Sequence, residues 1–425
     1  MKNFGVVMVA LFAVPAVYAQ SSPAIMTPAQ QRISWAQAAI LENPERSQPY
    51  NDLAMAYARR ARETADTSWY DPAEKALQES LQISPENLEA QRTEAAVLIG
   101  RKEFANALDI SKMLNAKMPD DVTTYGLVVD ADLALGNYKD AETAAQWMLD
   151  LRPGNIPGLL RGARLRQLFG DTEGAMQFYS ESYQQVPQTQ TEDLAWILTQ
   201  MANLDMSTGN VEGADKLLQS ALGKFPNYYL ALESEARVRM AQQKNEDAVN
   251  LLRARNQNFP TLESKYALAK AFDVAGQAQE ADDAFADFEQ ASRMRIDFPE
   301  NANLELIQCY LGRAKKPAEA LRIAQIEIAR RRDVETIDSY AWALSMNGQH
   351  RKAQIEIAAA LALGVRDANF FYHAGVIAAR LNDKTSAERY LNESLQLNSS
   401  SEFAGLVREE LSKLRPASAP MHQVE

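Results

Sequence analysis

The sequence holds a single cysteine and three histidines in 425 residues, so neither a disulfide framework nor a histidine-built metal centre is available to it. Cys309 sits between Ile307 and Leu311, where a free thiol behaves as a small buried hydrophobe. The histidines, His350, His373 and His422, fall in a turn, a helix and the C-terminal tail, and none has a second ligand at metal-binding spacing. There is no HExxH, no phosphate-cradling glycine loop and no GxSxG, so no catalytic motif and no cofactor is indicated. Positive charge is also short: 44 Lys and Arg against 56 Asp and Glu leave a net charge of −12. An acidic chain lacks the basic face that duplex nucleic acid or an anionic membrane requires. The later hydrophobic segments are all interrupted by polar residues, so no transmembrane helix is expected.

The one continuous apolar run lies at the start, MKNFGVVMVALFAVPAVYA. One lysine, a run from Phe4 to Val14 and small residues up to Ala19 have the form of a secretory signal, too short to span a bilayer. Cleavage after Ala19 is expected, giving an exported protein, periplasmic or extracellular, of bacterial type. Loss of residues 1–19 removes Lys2 and no acid, which takes the charge from −12 to −13. With 46% hydrophobic residues, the remainder has ample material for a core without disulfides.

That material is periodic. Pro85, Pro119, Pro153 and Pro187 recur every 34 residues, and Pro226 and Pro260 resume the spacing after an insertion. An alanine holds one place in each unit: Ala73, Ala107, Ala141, Ala175, Ala214, Ala248 and Ala281. The unit VTTYGLVVDADLALGNYKDAETAAQWMLDLRP shows why. Tyr125, Val128, Val129 and Asp132 to Leu133 recur at helical steps, Gly136-Asn137 ends that helix, and Tyr138, Ala141, Ala145 and Met148 mark a second. Pro153 disfavours continuation. A pair of helices this small cannot bury its apolar stripe alone and must stack on neighbours.

The spacing, the small residue and the closing proline resemble the tetratricopeptide repeat. The chain is similar to secreted multi-repeat bacterial proteins whose ending matches Asp338 to Leu344 and Arg366 to Ala378. That resemblance implies an all-α, right-handed superhelical solenoid of about ten helical pairs, with no enzymatic activity to carry over. The expected organisation is a signal peptide at 1–19 and a leader with a capping helix at 20–44. Units one to seven span 45–290, and degenerate units eight to ten span 291–400. A capping helix at 401–415 and a disordered tail at 416–425 complete the chain. Met294 to Pro299 fits no unit, and the run Arg330-Arg331-Arg332 is expected to cover a helix C-terminus.

In this architecture the first helix of each pair lines a concave groove. Its middle is expected to present Arg164, Trp196, Asn203, Arg237, Tyr266 and Lys270, with Arg92 on one side and Trp342 and Tyr372 on the other. Arginine and lysine would take carboxylates and the rings would stack on apolar or sugar faces. Glu233, Asp273 and Asp130 share the wall and could neutralise the cations. A lysine-asparagine carboxylate clamp, which some proteins of this type possess, is partly matched by Asn51 and Arg92, with Asp130 out of place. The reading is a non-catalytic exported scaffold or adaptor that binds a protein segment in its groove. The alternative is a carbohydrate-binding component of an envelope polysaccharide export system, with an anionic glycan as ligand.

Overall fold

The computed structural model describes residues 26–399, 401 and 403–414. The signal cleavage after Ala19 and the tail at 416–425 lie outside the described residues. Among the described residues there are twenty-two α-helices and no strand. A single helix, α1 (Pro28–Glu42), precedes ten antiparallel pairs. The first five are α2 and α3 (Ser47–Thr64, Tyr70–Ile83), α4 and α5 (Leu88–Gly100, Phe104–Lys117), α6 and α7 (Val122–Leu135, Tyr138–Leu151), α8 and α9 (Ile156–Leu168, Thr172–Gln185), and α10 and α11 (Thr191–Ser207, Val211–Lys224). The next three are α12 and α13 (Tyr229–Ala241, Asn245–Asn258), α14 and α15 (Leu262–Val274, Ala278–Arg293), and α16 and α17 (Asn303–Leu311, Pro317–Arg330). The pairs α18 and α19 (Val334–Met346, His350–Ala362) and α20 and α21 (Ala368–Arg380, Lys384–Leu397) follow, and α22 (Ala404–Leu414) closes the array.

Local chemistry sets these boundaries. Asn87, Asp121 and Asn155, one per unit, accept hydrogen bonds from the first free amides of α4, α6 and α8. Thr27 and Gln30 form a reciprocal capping box at the start of α1. The repeated alanine is the contact point of each pair. Ala73, Ala107, Ala141, Ala175, Ala214, Ala248 and Ala281 are all fully buried, as are Ala320, Ala353 and Ala387 in the units where the proline is lost. No larger side chain fits where two helix backbones approach this closely.

Seven residues after that alanine the sequence usually carries another buried apolar or small residue, and two units break the habit. Arg255 is buried there, donating to the Tyr229 carbonyl and pairing with Glu233 at 2.8 Å. Glu327 is buried there too, and accepts from the side-chain amides of Asn301 and Asn303 at 3.2 and 2.8 Å. Those bonds explain the stretch that fits no unit. The connection after α15 is irregular because Glu327 holds its far end, while Arg330 donates to its carbonyls at Ile296 and Phe298.

The array does not run out straight. It coils until later units lie on earlier ones, so contacts extend beyond nearest neighbours. The Arg332 amide donates to the Leu135 carbonyl at 3.2 Å, and the Arg366 amide to the Leu168 carbonyl at 3.1 Å. The Val334 amide donates to the Tyr138 hydroxyl at 2.7 Å, across 196 residues, or nearly six units. Lys102 Nζ reaches the Asn301 carbonyl at 2.8 Å, and Asn398 reaches the Met206 carbonyl at 3.3 Å. The turn inside each of units two to five thus sits on the loop that precedes or follows a unit one superhelical turn later. The seam is apolar as well, since one core cluster runs from Val128 and Tyr138 through to Val334, Val365 and Phe370.

Gly136 is where this stacking is tightest. Its φ of +86° is the left-handed region, and a Cβ there would run into the Arg332 carbonyl and lie 2.8 Å from the Asp333 nitrogen. Glycine therefore serves the turn and the seam together.

Candidate functional site

The first helices of the pairs form the inner wall, and the seam turns that wall into an enclosed groove. Glu335 on α18 is exposed to solvent, and desolvation followed by the Asp333 charge pushes its carboxyl up. Glu305 on α16 is raised to about 7, first by desolvation and then by Glu263. Asp367 at the start of α20 is raised for the same leading reason. A line of carboxylates crowded by protein therefore runs along the second superhelical turn. Lys102 lies beside Glu305, and Arg164 beside Glu335.

Within the middle of the wall, the structure brings some of the expected residues together. Asn203 on α10 and Arg237 on α12 meet: Arg237 Nη2 donates to Asn203 Oδ1 at 3.0 Å and to Ser234 Oγ at 2.9 Å. Ser234 in turn donates to the same Asn203 oxygen at 2.8 Å, which fixes the amide. Tyr266 and Lys270 are neighbours on α14, with Nζ 6.0 Å from the ring centroid, and the Tyr266 hydroxyl donates to Gln308 at 3.1 Å. Trp196 is half-buried and set edge-on to Tyr179, 6.4 Å between centroids, among Tyr183 and Met201. Its ring is part of the packing between α9 and α10. Arg164 is exposed on α8.

The three acids expected to neutralise this patch are engaged elsewhere, while the charge of Glu335 remains near Arg164. Glu233 pairs with Arg255, Asp273 with Arg313, and Asp130 with Arg161. Among the described residues, Arg164 and Arg237 form no ion pair.

The flanking expectations fare differently. Arg92 pairs with Asp121 at 2.8 Å. Asn51 is buried, and a buried amide cannot present itself to a ligand carboxylate, so the clamp is absent. Tyr372 is buried as well, stacked on Phe403 at 5.2 Å, because α22 covers that end of α20. Trp342 remains half-exposed and stacks on His373 at 4.3 Å, while His373 Nδ1 lies 2.9 Å from both carboxylate oxygens of Asp338. Cys309 is buried, and desolvation pushes its thiol up to about 11. Among the described residues no three His, Cys, Asp or Glu side chains gather as metal ligands would.

Sequence reasoning missed a cluster at the end of α2. Arg59, Glu63 and Glu192 are all buried, and Arg59 joins α2 to α10 by pairing with Asp193 at 3.1 Å and donating to Gln190 at 2.7 Å. Glu63 also receives the Ala29 amide and the Thr27 hydroxyl, tying α1 into the same knot. The one available signal was Arg59 standing among alanines on an apolar face.

Stacked helical pairs of this length and spacing make the protein a tetratricopeptide-type solenoid, an all-α superhelix. No family model matches the chain, and no curated protein matches it. Solved structures do. The chain is similar to the Cut9 and Hcn1 hetero-tetramer of the APC/C at 14% identity and a TM-score of 0.49, covering 90% of this chain and 58% of that one. It is similar to human IFIT1, solved as a dimer with PPP-AAAA, at 15% identity and a TM-score of 0.48, covering 87% of this chain and 86% of that one. A tetratricopeptide repeat protein from Parabacteroides merdae matches at 17% identity and a TM-score of 0.37, covering 61% of this chain and 98% of that one. The chain thus spans little more than half the length of the first of these. No helix among the described residues is long and apolar enough to cross a membrane.

Proposed function

We propose that the protein is a non-catalytic scaffold that holds an extended, carboxylate-bearing protein segment in the groove lined by its first helices. The observation that carries this reading is the state of the cations on that wall. Arg237 is exposed and has no ion-pair partner among the described residues, Arg164 is exposed with only the charge of Glu335 near it, and Asp130, Glu233 and Asp273 are taken by other arginines. The Asn203 and Ser234 oxygens hold Arg237 in place, so it can meet a carboxylate without first being ordered. An extended segment fits because a superhelical groove offers a long track, and each first helix adds its own short stretch of it.

The test is selection of unstructured twelve-residue peptides on the full chain. Sequences rich in Asp and Glu should be enriched. Arg237→Glu should weaken the selected peptides at least tenfold, and rising salt should shrink that difference because exposed charges are screened within about 8 Å. Enrichment of Lys- and Arg-rich peptides, drawn by the carboxylate line, would refute the reading. We also propose export, supported by the leader sequence. N-terminal sequencing of native protein should begin at Gln20, and an intact Met1 in the envelope fraction would count against cleavage.

A further inference from the structure

The two ends of the solenoid are finished differently. A terminal helix has no further unit to cover it, so its outer face must be polar if it is to meet only water. At the C-terminal end α22 conforms: Arg408, Glu409, Ser412 and Lys413 are exposed around a half-exposed Leu406. At the N-terminal end α1 does not. Ala29 and Ala36 are buried on its inner side, with Ile33 and Ile40 packed into the same core as α2. Its outer side carries Trp35 at 69% exposure and Leu41 at 86%, with the exposed Ala38 between them. Indole is the side chain that most often anchors a protein interface, and here it stands in water on a terminal helix.

The arrangement of that face says what covers it. Trp35 lies three residues before Ala38 and Leu41 three after, so the large apolar groups are placed evenly about a small one. The charges are ordered too. By the helical period Arg32 and Glu42 fall on the same flank of the face, one toward each end of the helix. Both are exposed, and among the described residues neither forms an ion pair. Two such faces laid antiparallel and centred on Ala38 set Trp35 of each copy level with Leu41 of the other. The same pairing puts Arg32 of each copy beside Glu42 of the other. A parallel pairing would instead set Arg32 on Arg32 and Glu42 on Glu42. The alanine at the crossing lets the two backbones approach closely, which a larger side chain would prevent.

We propose that the outer face of α1 is a self-association surface whose occupant is α1 of a second copy of this chain, antiparallel about a two-fold axis at Ala38. Such a contact closes on itself, so the product is a dimer joined end to end and not a filament. One helix face is small for an interface, so the dimer should dissociate in the micromolar range. The surface does not depend on the groove proposed above.

Disulfide trapping with the full chain tests the geometry. Ala38→Cys places a thiol at the two-fold axis, and the natural Cys309 is buried. With oxidised glutathione it should give a covalent dimer at least tenfold faster than Ala358→Cys, another exposed alanine, on α19. Trp35→Glu, added to Ala38→Cys, should slow the cross-link at least tenfold, and its exposed position leaves the fold intact. Arg32→Glu should slow the cross-link at least threefold, and Arg32→Glu with Glu42→Arg should restore it, since the exchange recreates the pair. Equal rates for Ala38→Cys and Ala358→Cys, or no slowing by Trp35→Glu, overturns the surface. An unmodified chain that sediments as a monomer throughout the micromolar range overturns it as well. No slowing by Arg32→Glu, or no recovery on the exchange, refutes the antiparallel arrangement.

Discussion

Replacing Gly136 with alanine isolates the energy that stacks one superhelical turn on the next. Two costs are combined at this position. The left-handed backbone at φ +86° disfavours any Cβ by about 1–2 kcal/mol. The same Cβ would also strike the Arg332 carbonyl and the Asp333 nitrogen, both backbone atoms that no side-chain rotation can move aside. Relief requires the seam to separate there, which breaks the bond from the Arg332 amide to Leu135 and endangers that from the Val334 amide to Tyr138. Two hydrogen bonds at about 0.5–1.5 kcal/mol each add roughly 1–3 kcal/mol. Gly276 supplies the control. Its φ is +72°, so alanine suffers the same backbone strain, but a Cβ there meets nothing within 4 Å. The entropy that alanine removes from the unfolded chain is common to both and cancels. Gly136→Ala should therefore destabilise by about 1–3 kcal/mol more than Gly276→Ala, where two hydrogen bonds are at stake. Denaturant titration measures the difference, and hydrogen exchange locates it. The amides of Arg332 and Val334 should lose protection in the Gly136 variant and keep it in the Gly276 variant. Equal stability and equal exchange in the two proteins would show that the turns do not stack as described.

Three further outcomes follow from particular contacts. Glu305, raised to about 7 in the folded protein, binds a proton more tightly folded than unfolded, so its contribution to stability is largest at low pH and is lost as pH rises through about 7. Glu305→Gln should therefore flatten the stability curve between about pH 5 and pH 8 and leave the variant more stable at pH 8; a variant with an unchanged pH profile would contradict the crowding assigned to that carboxyl. Arg59→Ala removes one partner from a buried ionic knot and should cost about 3–5 kcal/mol, appearing first as faster exchange in α1 and α2, with the first turn of α10 following. Ala175→Leu overfills the contact between α8 and α9 and should cost about 1–3 kcal/mol, read as lost protection across Gly162 to Val186; intact protection there would remove the alanine from its assigned place.

The sequence by itself determined everything whose cause is local. Helical periodicity, Asx caps, glycines at turns and an alanine every 34 residues act over one or two helices, so they can be read without knowing where the chain goes next. The helical pairs at Ala320, Ala353 and Ala387 remained legible after the closing proline disappeared, because close packing needs the small residue more than it needs the break. Two signals were present but ambiguous. Asp132 falls in the buried register of α6, and Arg59 falls among alanines. A charge in such a place announces a buried polar contact but does not name its partner.

Only the tertiary structure decided the rest, because a small rotation per unit accumulates. Over nearly six units it brings Leu135 against Arg332 and Leu168 against Arg366, pairs that no short-range pattern connects. The same accumulation converts an open concave face into an enclosed groove and crowds Glu305 and Glu335. Charge pairing was decided at this level too. Glu233 and Asp273 lie on the wall with the groove cations, but Arg255 reaches the first from α13 and Arg313 the second from the turn after α16. Side-chain length and direction settle such choices, and neither is written in residue spacing.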